Sequence, residues 1–172
     1  LLAVGVRREV DRVEARLDEL AYRDPVTGLY NRHAAGEHLQ HYVAAARGAG
    51  AGFSIVSVDL DNFKQINDSL GHDVGDRVLQ LIAGRMAGLL QPGARAYRFG
   101  GDEFVIGLTD VVDLDGVSKA ATKVLASMAQ PVMINDTELS TSCSIGIALF
   151  PDDGADYESL LREADIAMYR AK

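Results

Sequence analysis

Three acidic side chains occupy positions where folded chains commonly expose chemically active groups. Asp59 ends an apolar, β-branched run at residues 53–60 that predicts a buried strand. Asp102 and Glu103 follow two glycines in a tight hairpin signal. If the strand and the hairpin are neighbours in one sheet, these carboxylates converge and repel each other unless a divalent cation joins them. Together with the main-chain carbonyl of Leu60, they suit magnesium bound with phosphate groups.

The two glycines of this hairpin indicate what the metal would act on. Gly100 and Gly101 present backbone without side chains, so a nucleotide can approach it closely. Strand-end carboxylates beside such a turn are similar to the palm of polymerases, which performs two-metal phosphoryl transfer. An alternative stays open, because acidic pairs on turns are usually solvated surface residues.

The elements that must position these residues follow from hydrophobic periodicity and turn signals. Helices are predicted over residues 32–46, 62–70, 73–89, 114–128 and 157–172. Strands are predicted over residues 53–60, 94–99, 104–108 and 142–150, with a small hairpin at 131–134 and 138–140. Because helices and strands alternate around an antiparallel hairpin, the predicted fold class is α/β (α+β). We expect a mixed central sheet of about five strands with helices on both faces.

The first 22 residues follow a different pattern from the rest. Their apolar residues recur at alternating steps of three and four: Ala3, Val6, Val10, Val13, Leu17 and Leu20. This a/d stripe is typical of a helix that pairs with another helix, although a helix packed on its own domain gives a similar pattern. We expect a linker or coiled-coil signalling helix over residues 1–22 and a second domain over residues 23–172.

Composition narrows the classes of partner. Acidic residues outnumber basic ones by 25 to 17, and the resulting charge of −8 disfavours attraction to nucleic acid or anionic membranes. The one cysteine, Cys143, lies in a strand-like run and is expected to be a small buried hydrophobe. We expect no nucleic-acid partner, no direct membrane contact and a cytoplasmic location, which includes the cytoplasmic part of a membrane-anchored protein. The chain starts without Met, and we expect it to be a piece of a longer protein.

Several sequence blocks jointly resemble one family. Residues 98–104 read RFGGDEF, which resembles the signature of the GGDEF family of diguanylate cyclases. Other blocks similar to this family follow in the same order, namely DPVTGLYNR at 24–32, DLDNFK at 59–64, SIGIA at 144–148 and ADIAMYRAK at 164–172. The resemblance covers roughly residues 21–172 and implies a fold like that of nucleotide cyclases and polymerase palms.

The resemblance implies an activity and its partners. A diguanylate cyclase condenses two GTP molecules into cyclic di-GMP and releases two pyrophosphates, with two Mg²⁺ or Mn²⁺ ions in each active site. Since one domain holds one GTP, two domains must face each other as an antiparallel homodimer. An upstream sensory module is implied, and residues 144–172 resemble GGDEF domains that precede an EAL phosphodiesterase domain. The alternative function is a catalytically silent GTP-binding domain that controls a linked EAL domain.

The resemblance assigns metal and catalytic roles by position. Asp59 and Asp102 resemble the metal ligands, assisted by the carbonyl of Leu60. Glu103 resembles the residue that completes metal binding or helps to activate the attacking 3′-hydroxyl. Gly100 and Gly101 belong to the same catalytic turn.

The resemblance assigns a second set of residues to the nucleotide. Asn67 and Asp76 resemble the pair that reads guanine, which suits an amide donor beside a carboxylate acceptor. Phe63 and Lys64 resemble the turn under the β- and γ-phosphates, at a helix N-terminus. Lys172 resembles a terminal phosphate clamp.

Simpler interpretations of single residues stay open. Asp76 fits a helix cap together with Asp73, and Asn67 fits a solvated helix position. Arg98 fits an ion pair with a structural role. The predicted helix over residues 32–46 carries three histidines, His33, His38 and His41. We interpret them as a solvated face, and the alternative is a zinc site.

One family feature is missing from the sequence. Many GGDEF domains carry an Arg-x-x-Asp motif just before the signature, where cyclic di-GMP binds and inhibits. Gln91 and Ala94 stand at those two positions here. The sequence therefore predicts that the product-inhibition site is absent.

Overall fold

The computed structural model of the chain describes residues 2–109, 111 and 113–172. Helices and strands alternate along it: α1 Leu2–Tyr22, β1 Tyr30–Asn31, α2 Arg32–Ala49, β2 Phe53–Leu60, α3 Phe63–Leu70, α4 His72–Leu89, β3 Ala94–Gly100, β4 Glu103–Leu108, α5 Leu114–Met128, β5 Val132–Ile134, β6 Thr137–Leu139, β7 Cys143–Phe150 and α6 Tyr157–Ala171. Every predicted element is present, with ends displaced by no more than three residues. The largest displacement is in α2, because the left-handed Gly50 caps the helix by donating to the carbonyls of Ala46 and Arg47.

Five strands form one mixed sheet in the order β1-β3-β4-β2-β7. The pairing of β1 with β3 is parallel, and the other three pairings are antiparallel. The sequence did not predict β1, because two residues are too few to show an alternating pattern. The separate β5–β6 hairpin turns at Asn135 and Asp136, both at positive φ, as expected from their types.

The core lies on both faces of the sheet, which confirms the predicted layering. All eight residues of β2 are buried, as expected for a strand with neighbours on both edges. Val56 and Val58 pack in a cluster that includes Ile82 of α4, and Ile55 packs in a second cluster that includes Leu160 of α6. Alternate residues of one strand therefore serve opposite helix layers.

Helix α6 approaches the sheet unusually closely. A Cβ atom at Gly146 of β7 would lie 1.8 Å from the carbonyl oxygen of Ala164 and 2.4 Å from the amide nitrogen of Met168. Asp165 of the same helix also accepts a hydrogen bond of 2.8 Å from the buried Ser57 hydroxyl of β2. These contacts fix where the C-terminal end of α6 lies relative to β2.

Helix α1 leaves its apolar stripe uncovered where its side chains are described. Val13, Leu17 and Leu20 are 51%, 60% and 64% exposed, so these three do not pack on the domain. The side chains of the earlier stripe positions, Ala3, Val6 and Val10, lie outside the described residues. The pairing of α1 with another helix stays a prediction. Among the helices of the described residues, none combines the length and the apolarity that a bilayer span requires.

Candidate active site

The strand end and the glycine hairpin meet as the sequence predicts. Asp59 of β2 stands directly opposite Glu103 of β4 in an antiparallel pairing. Residues paired in this way place their side chains on the same face of the sheet, with Cβ atoms about 4.5–5.5 Å apart. The amide of Leu60 donates to the carbonyl of Asp102 at 3.1 Å, so Asp102, the residue before Glu103, lies in the same corner. The three acidic residues are therefore brought together by backbone hydrogen bonding.

Backbone geometry explains why glycines stand in this turn. Gly100 has a φ of 137° and Gly101 a φ of 50°, and side chains are disfavoured at both values. The register of β3 against β4 shifts between Arg98 and Gly100, which marks a bulge at the glycine turn. The bulge bends the strand end and presents Asp102 and Glu103 at the edge of the sheet.

The electrostatics of the corner favour binding of a cation. Burial, followed by the charge of Asp59, raises the pKa of Asp102 above its usual range. The pKa of Glu103 is raised by the same two causes and by the nearby Asp165. Asp59 itself is buried, and its carboxylate accepts a 2.7 Å hydrogen bond from the ammonium of Lys172. That contact raises the pKa of Lys172, so the ammonium partly neutralises the acidic corner.

The donor set suits magnesium held together with phosphate. Among residues 2–109, 111 and 113–172, no three His, Cys, Asp or Glu side chains already form a metal-binding group. Magnesium is commonly held by one or two carboxylates plus substrate phosphates rather than by an all-protein cage. Asp59, Asp102 and the carbonyl of Leu60 fit that mode of binding.

Two openings flank Asp59 and Lys172. One, of about 470 Å³, collects most of the predicted phosphate and metal residues: Asp59, Leu60, Phe63, Lys64, Asp102 and Lys172. The other, of about 790 Å³, contains Glu103 and runs along α6. Glu103 thus faces a different side of the corner from the predicted phosphate residues.

The start of α3 is open to an anion. Asn62 precedes the helix in a left-handed conformation and makes no side-chain capping bond. The first amides of α3, at Phe63 and Lys64, therefore donate no hydrogen bond to the Asn62 side chain, and these residues line the opening of about 470 Å³. The first N–H groups of a helix have no acceptor within the helix, and such a terminus favours phosphate at this place.

The predicted guanine pair lies further along, where α3 meets α4. Asn67 is half-buried, and its side-chain oxygen occupies the space that a Cβ atom of Gly75 would fill, at 1.8 Å. Asp76 follows Gly75 directly and is exposed. Helix α4 is capped by Gly71 without any side-chain capping bond, so Asp76 and Asp73 do not form the capping box that was the alternative. Asn67 is likewise not a freely solvated residue.

Arg98 links the hairpin turn to the loop that follows α1. Its guanidinium donates to both carboxylate oxygens of Asp24 at 3.0 and 2.9 Å, and to the carbonyl of Gly101 at 3.2 and 2.9 Å. Asp24 also accepts two hydrogen bonds from Thr27. The side chains of Arg98 and Asp24 are only 10% and 13% exposed, so the predicted ion pair exists but is largely buried.

Sequence reasoning missed the residues that anchor the loop between β2 and α3. Asp61 accepts hydrogen bonds of 2.7 Å from the hydroxyls of Ser142 and Ser144, which lie before and within β7. Only the pairing of β2 with β7, which places Asp59 opposite Ser144, brings these residues together. The sequence signal that could have found these hydrogen bonds is the recurrence of small polar residues at the end of β2 and at the start of β7.

The remaining sequence interpretations concern residues away from this corner. Burial raises the pKa of the Cys143 thiol to about 12, which agrees with a packed hydrophobe. Within the part of the chain that the structure describes, the histidines of α2 join no metal-binding group. Gln91 and Ala94 lie where α4 passes into β3, beside an apolar cavity.

Comparison with known proteins agrees with the fold and with the sequence blocks. A family model described as "Diguanylate cyclase, GGDEF domain" matches residues 21–172. The chain is 38% identical over 159 residues to the diguanylate cyclase TpbB of Pseudomonas aeruginosa, covering 92% of this chain and 37% of TpbB. It is 34% identical over 164 residues to the cyclic di-GMP phosphodiesterase NbdA of the same organism, covering 95% of this chain and 21% of NbdA.

Solved structures give the same result. The isolated GGDEF domain of TpbB superposes with a TM-score of 0.84 at 38% identity, covering 88% of each chain. This chain spans between about a fifth and somewhat over a third of the length of the two relatives named above. The mixed five-stranded sheet, the acidic corner and these matches together show that the chain belongs to the GGDEF domain family.

Proposed function

We propose that this domain is a diguanylate cyclase that condenses two GTP molecules into cyclic di-GMP across an antiparallel pair of domains. The observation that carries the proposal is the strand pairing of Asp59 with Glu103, with Asp102 bonded through its carbonyl to Leu60. The relative TpbB, named a diguanylate cyclase, shares 38% of its residues with the chain over the matched region. All the signature carboxylates are present, which favours activity over a silent domain.

Each residue of the corner has a distinct task in this proposal. Asp59, Asp102, Glu103 and the Leu60 carbonyl would hold two magnesium or manganese ions, which supply charge stabilisation for phosphoryl transfer when bound. The amides at Phe63 and Lys64, together with Lys172, bind the β- and γ-phosphates.

The guanine base lies between α3 and α4. Asn67 donates to the ring acceptors, and Asp76 accepts from N1–H and the 2-amino group. The bonds that Asp76 accepts distinguish guanine from adenine, because adenine has neither an N1–H nor a 2-amino group, whereas both bases carry ring acceptors.

The reaction joins two nucleotides held by facing domains. The 3′-oxygen of one GTP attacks the α-phosphorus of the other, the bond to the β-phosphate oxygen breaks, and pyrophosphate leaves. The same step in the other direction closes the ring. Glu103, which stands opposite Asp59, would accept the proton of the attacking 3′-hydroxyl. Since neither domain holds both nucleotides, turnover requires a dimer.

The test uses GTP and magnesium, with products separated by chromatography. Glu103→Gln is expected to lower turnover by about 100-fold or more, while Glu138→Gln, an exposed change on β6, leaves it unchanged. Turnover per domain should also rise with protein concentration because the dimer is the active species. Full turnover in Glu103→Gln would contradict the proposal.

A second function is favoured by one comparison. NbdA is named a phosphodiesterase, and the chain matches 21% of its length, so GGDEF domains of this kind also occur within such proteins. In that case the domain binds GTP and regulates a linked EAL domain without making product. Binding of GTP to the full-length protein without turnover, together with GTP-dependent hydrolysis of cyclic di-GMP, would identify this function.

A further inference from the structure

The apolar cavity beside Gln91 and Ala94 lies between α5 and the sheet, remote from the acidic corner. It has a volume of about 210 Å³ and reaches from the end of α4 to the start of β3 and the end of β4. Ala94 and Leu108, which pair across β3 and β4, lie at its inner wall. Strand β4 runs from Glu103 to Leu108, so its length of about 20 Å separates this cavity from the candidate active site.

The interior of this cavity is apolar. Val56, Ile106, Leu108 and Val124 line it and are all buried, with Leu90 half-buried beside them. Walls of this kind hold no water firmly, because a buried water needs two to four polar partners. A dry apolar cavity of about 150 Å³ is large enough to bind benzene. The present cavity is larger, so the apolar part of a small molecule fits into it.

The rim of the cavity is cationic. Lys119 and Lys123 stand one turn apart on α5 and line the cavity, whereas no Asp or Glu among the described residues does. Lys119 pairs with Asp115, but that pair is exposed, with side chains 72% and 79% accessible. Exposed pairs contribute little and exchange easily. In a chain with a net charge of −8, two lysines at an apolar opening favour an anionic headgroup.

We propose that this cavity binds a small amphiphilic carboxylate. The apolar body, of roughly six to eight carbon atoms, occupies the interior, and the carboxylate lies at the rim between Lys119 and Lys123. The proposal does not depend on the function of the acidic corner, since the two sites share no residue.

Titration with octanoate, followed by NMR of ¹³C-labelled methyl groups, tests the proposal. We expect saturable shifts at Val56, Ile106 and Leu108. Ala120→Leu, which projects into the cavity, should weaken binding at least 10-fold. Ala126→Leu, an exposed change on the same helix that does not line the cavity, should leave binding unchanged.

The headgroup is tested separately with exposed residues that do not threaten folding. The double variant Lys119→Gln/Lys123→Gln should weaken octanoate at least fivefold and leave the uncharged 1-octanol unaffected. Three results would overturn the proposal: no saturable methyl shifts with octanoate, equal affinity in Ala120→Leu and the unaltered chain, or equal loss of octanoate and 1-octanol in the lysine variant.

Discussion

The buried pair of Arg98 and Asp24 offers the sharpest test of how the hairpin is held. Replacing Arg98 by Met leaves the Asp24 carboxylate with only its Thr27 bonds and leaves the Gly101 carbonyl without its guanidinium donor. Removing one partner of a buried ion pair costs about 3–5 kcal/mol. For a chain of this size, that loss lowers Tm by roughly 6–20 °C.

Removing the other partner should cost less. In Asp24→Asn the amide oxygen can still accept from Thr27, so the loss is that of charged hydrogen bonds to Arg98, about 1.5–3 kcal/mol. Because both changes break the same contact, the double variant should be more stable than the sum of the two losses predicts, by about 1.5 kcal/mol or more.

Urea denaturation of the four proteins, with the slope m held constant, measures this coupling. Arg95→Met is the matched control, because Arg95 lies on the same strand and contacts His38 and aromatic rings rather than a carboxylate. Additive losses in the double variant, or an equal loss in Arg95→Met, would refute the assigned role of the pair.

The pair should also depend on pH in a defined direction. Burial raises the pKa of Asp24, but the hydrogen bonds from Thr27 and Arg98 outweigh it and leave the pKa below its usual value. A lowered carboxylate pKa stabilises the folded state above about pH 4. The contribution disappears as the pH falls through the folded-state pKa, so the stability difference between the native chain and Asp24→Asn should shrink in strong acid.

Three further outcomes are expected. Asp102→Asn should raise the stability of the metal-free protein at neutral pH, because burial and a neighbouring charge raise the pKa of this carboxyl. It should also weaken Mg²⁺ binding, because a carboxylate ligand is lost. The gain in stability should vanish in acid, where the native carboxyl is protonated, and thermal melts with and without Mg²⁺ at two pH values measure both effects. Gly75→Ala should displace the Asn67 side chain and lower GTP affinity by about tenfold. Stability should fall little, since the atom that the new methyl group meets is the end of the flexible Asn67 side chain. Calorimetry compares the GTP affinities of Gly75→Ala and Asn67→Ala, and unchanged affinity would exclude Asn67 from the pocket. Cyclic di-GMP should not bind tightly at Gln91 and Ala94, and tight binding that no GTP analogue competes away would show the prediction to be wrong.

The sequence was sufficient for the order of all elements except β1, and for the meeting of Asp59 with the 100–103 turn. These predictions used local signals, namely hydrophobic periodicity, glycine positions and acidic residues at strand ends. The structure agrees with them because each local preference is consistent with the packing around it. The family blocks added the activity that we propose, which spacing alone left open.

What the sequence could not provide depends on contacts between distant segments. β1 is only two residues long and exists because it pairs with β3. The hydrogen bonds of Asp61 to Ser142 and Ser144 span more than 80 positions. The contact between Lys172 and Asp59 spans 113 positions and depends on how α6 crosses the sheet. None of these contacts produces a periodic pattern of residues in the sequence from which it could be predicted.

The close approach of α6 to β7 fixes the position of the C-terminal end of α6 along the strand. With Gly146 against the backbone of Ala164, the helix cannot slide along the strand without a steric clash. Lys172 lies eight residues beyond Ala164, about 12 Å further along the helix axis. Its ammonium can therefore leave Asp59 by rotating its own side chain or unwinding the final residues, while the rest of the helix stays in register. A larger residue at position 146 would push α6 away from β7 and so move the Lys172 ammonium relative to Asp59 without contacting Lys172 itself.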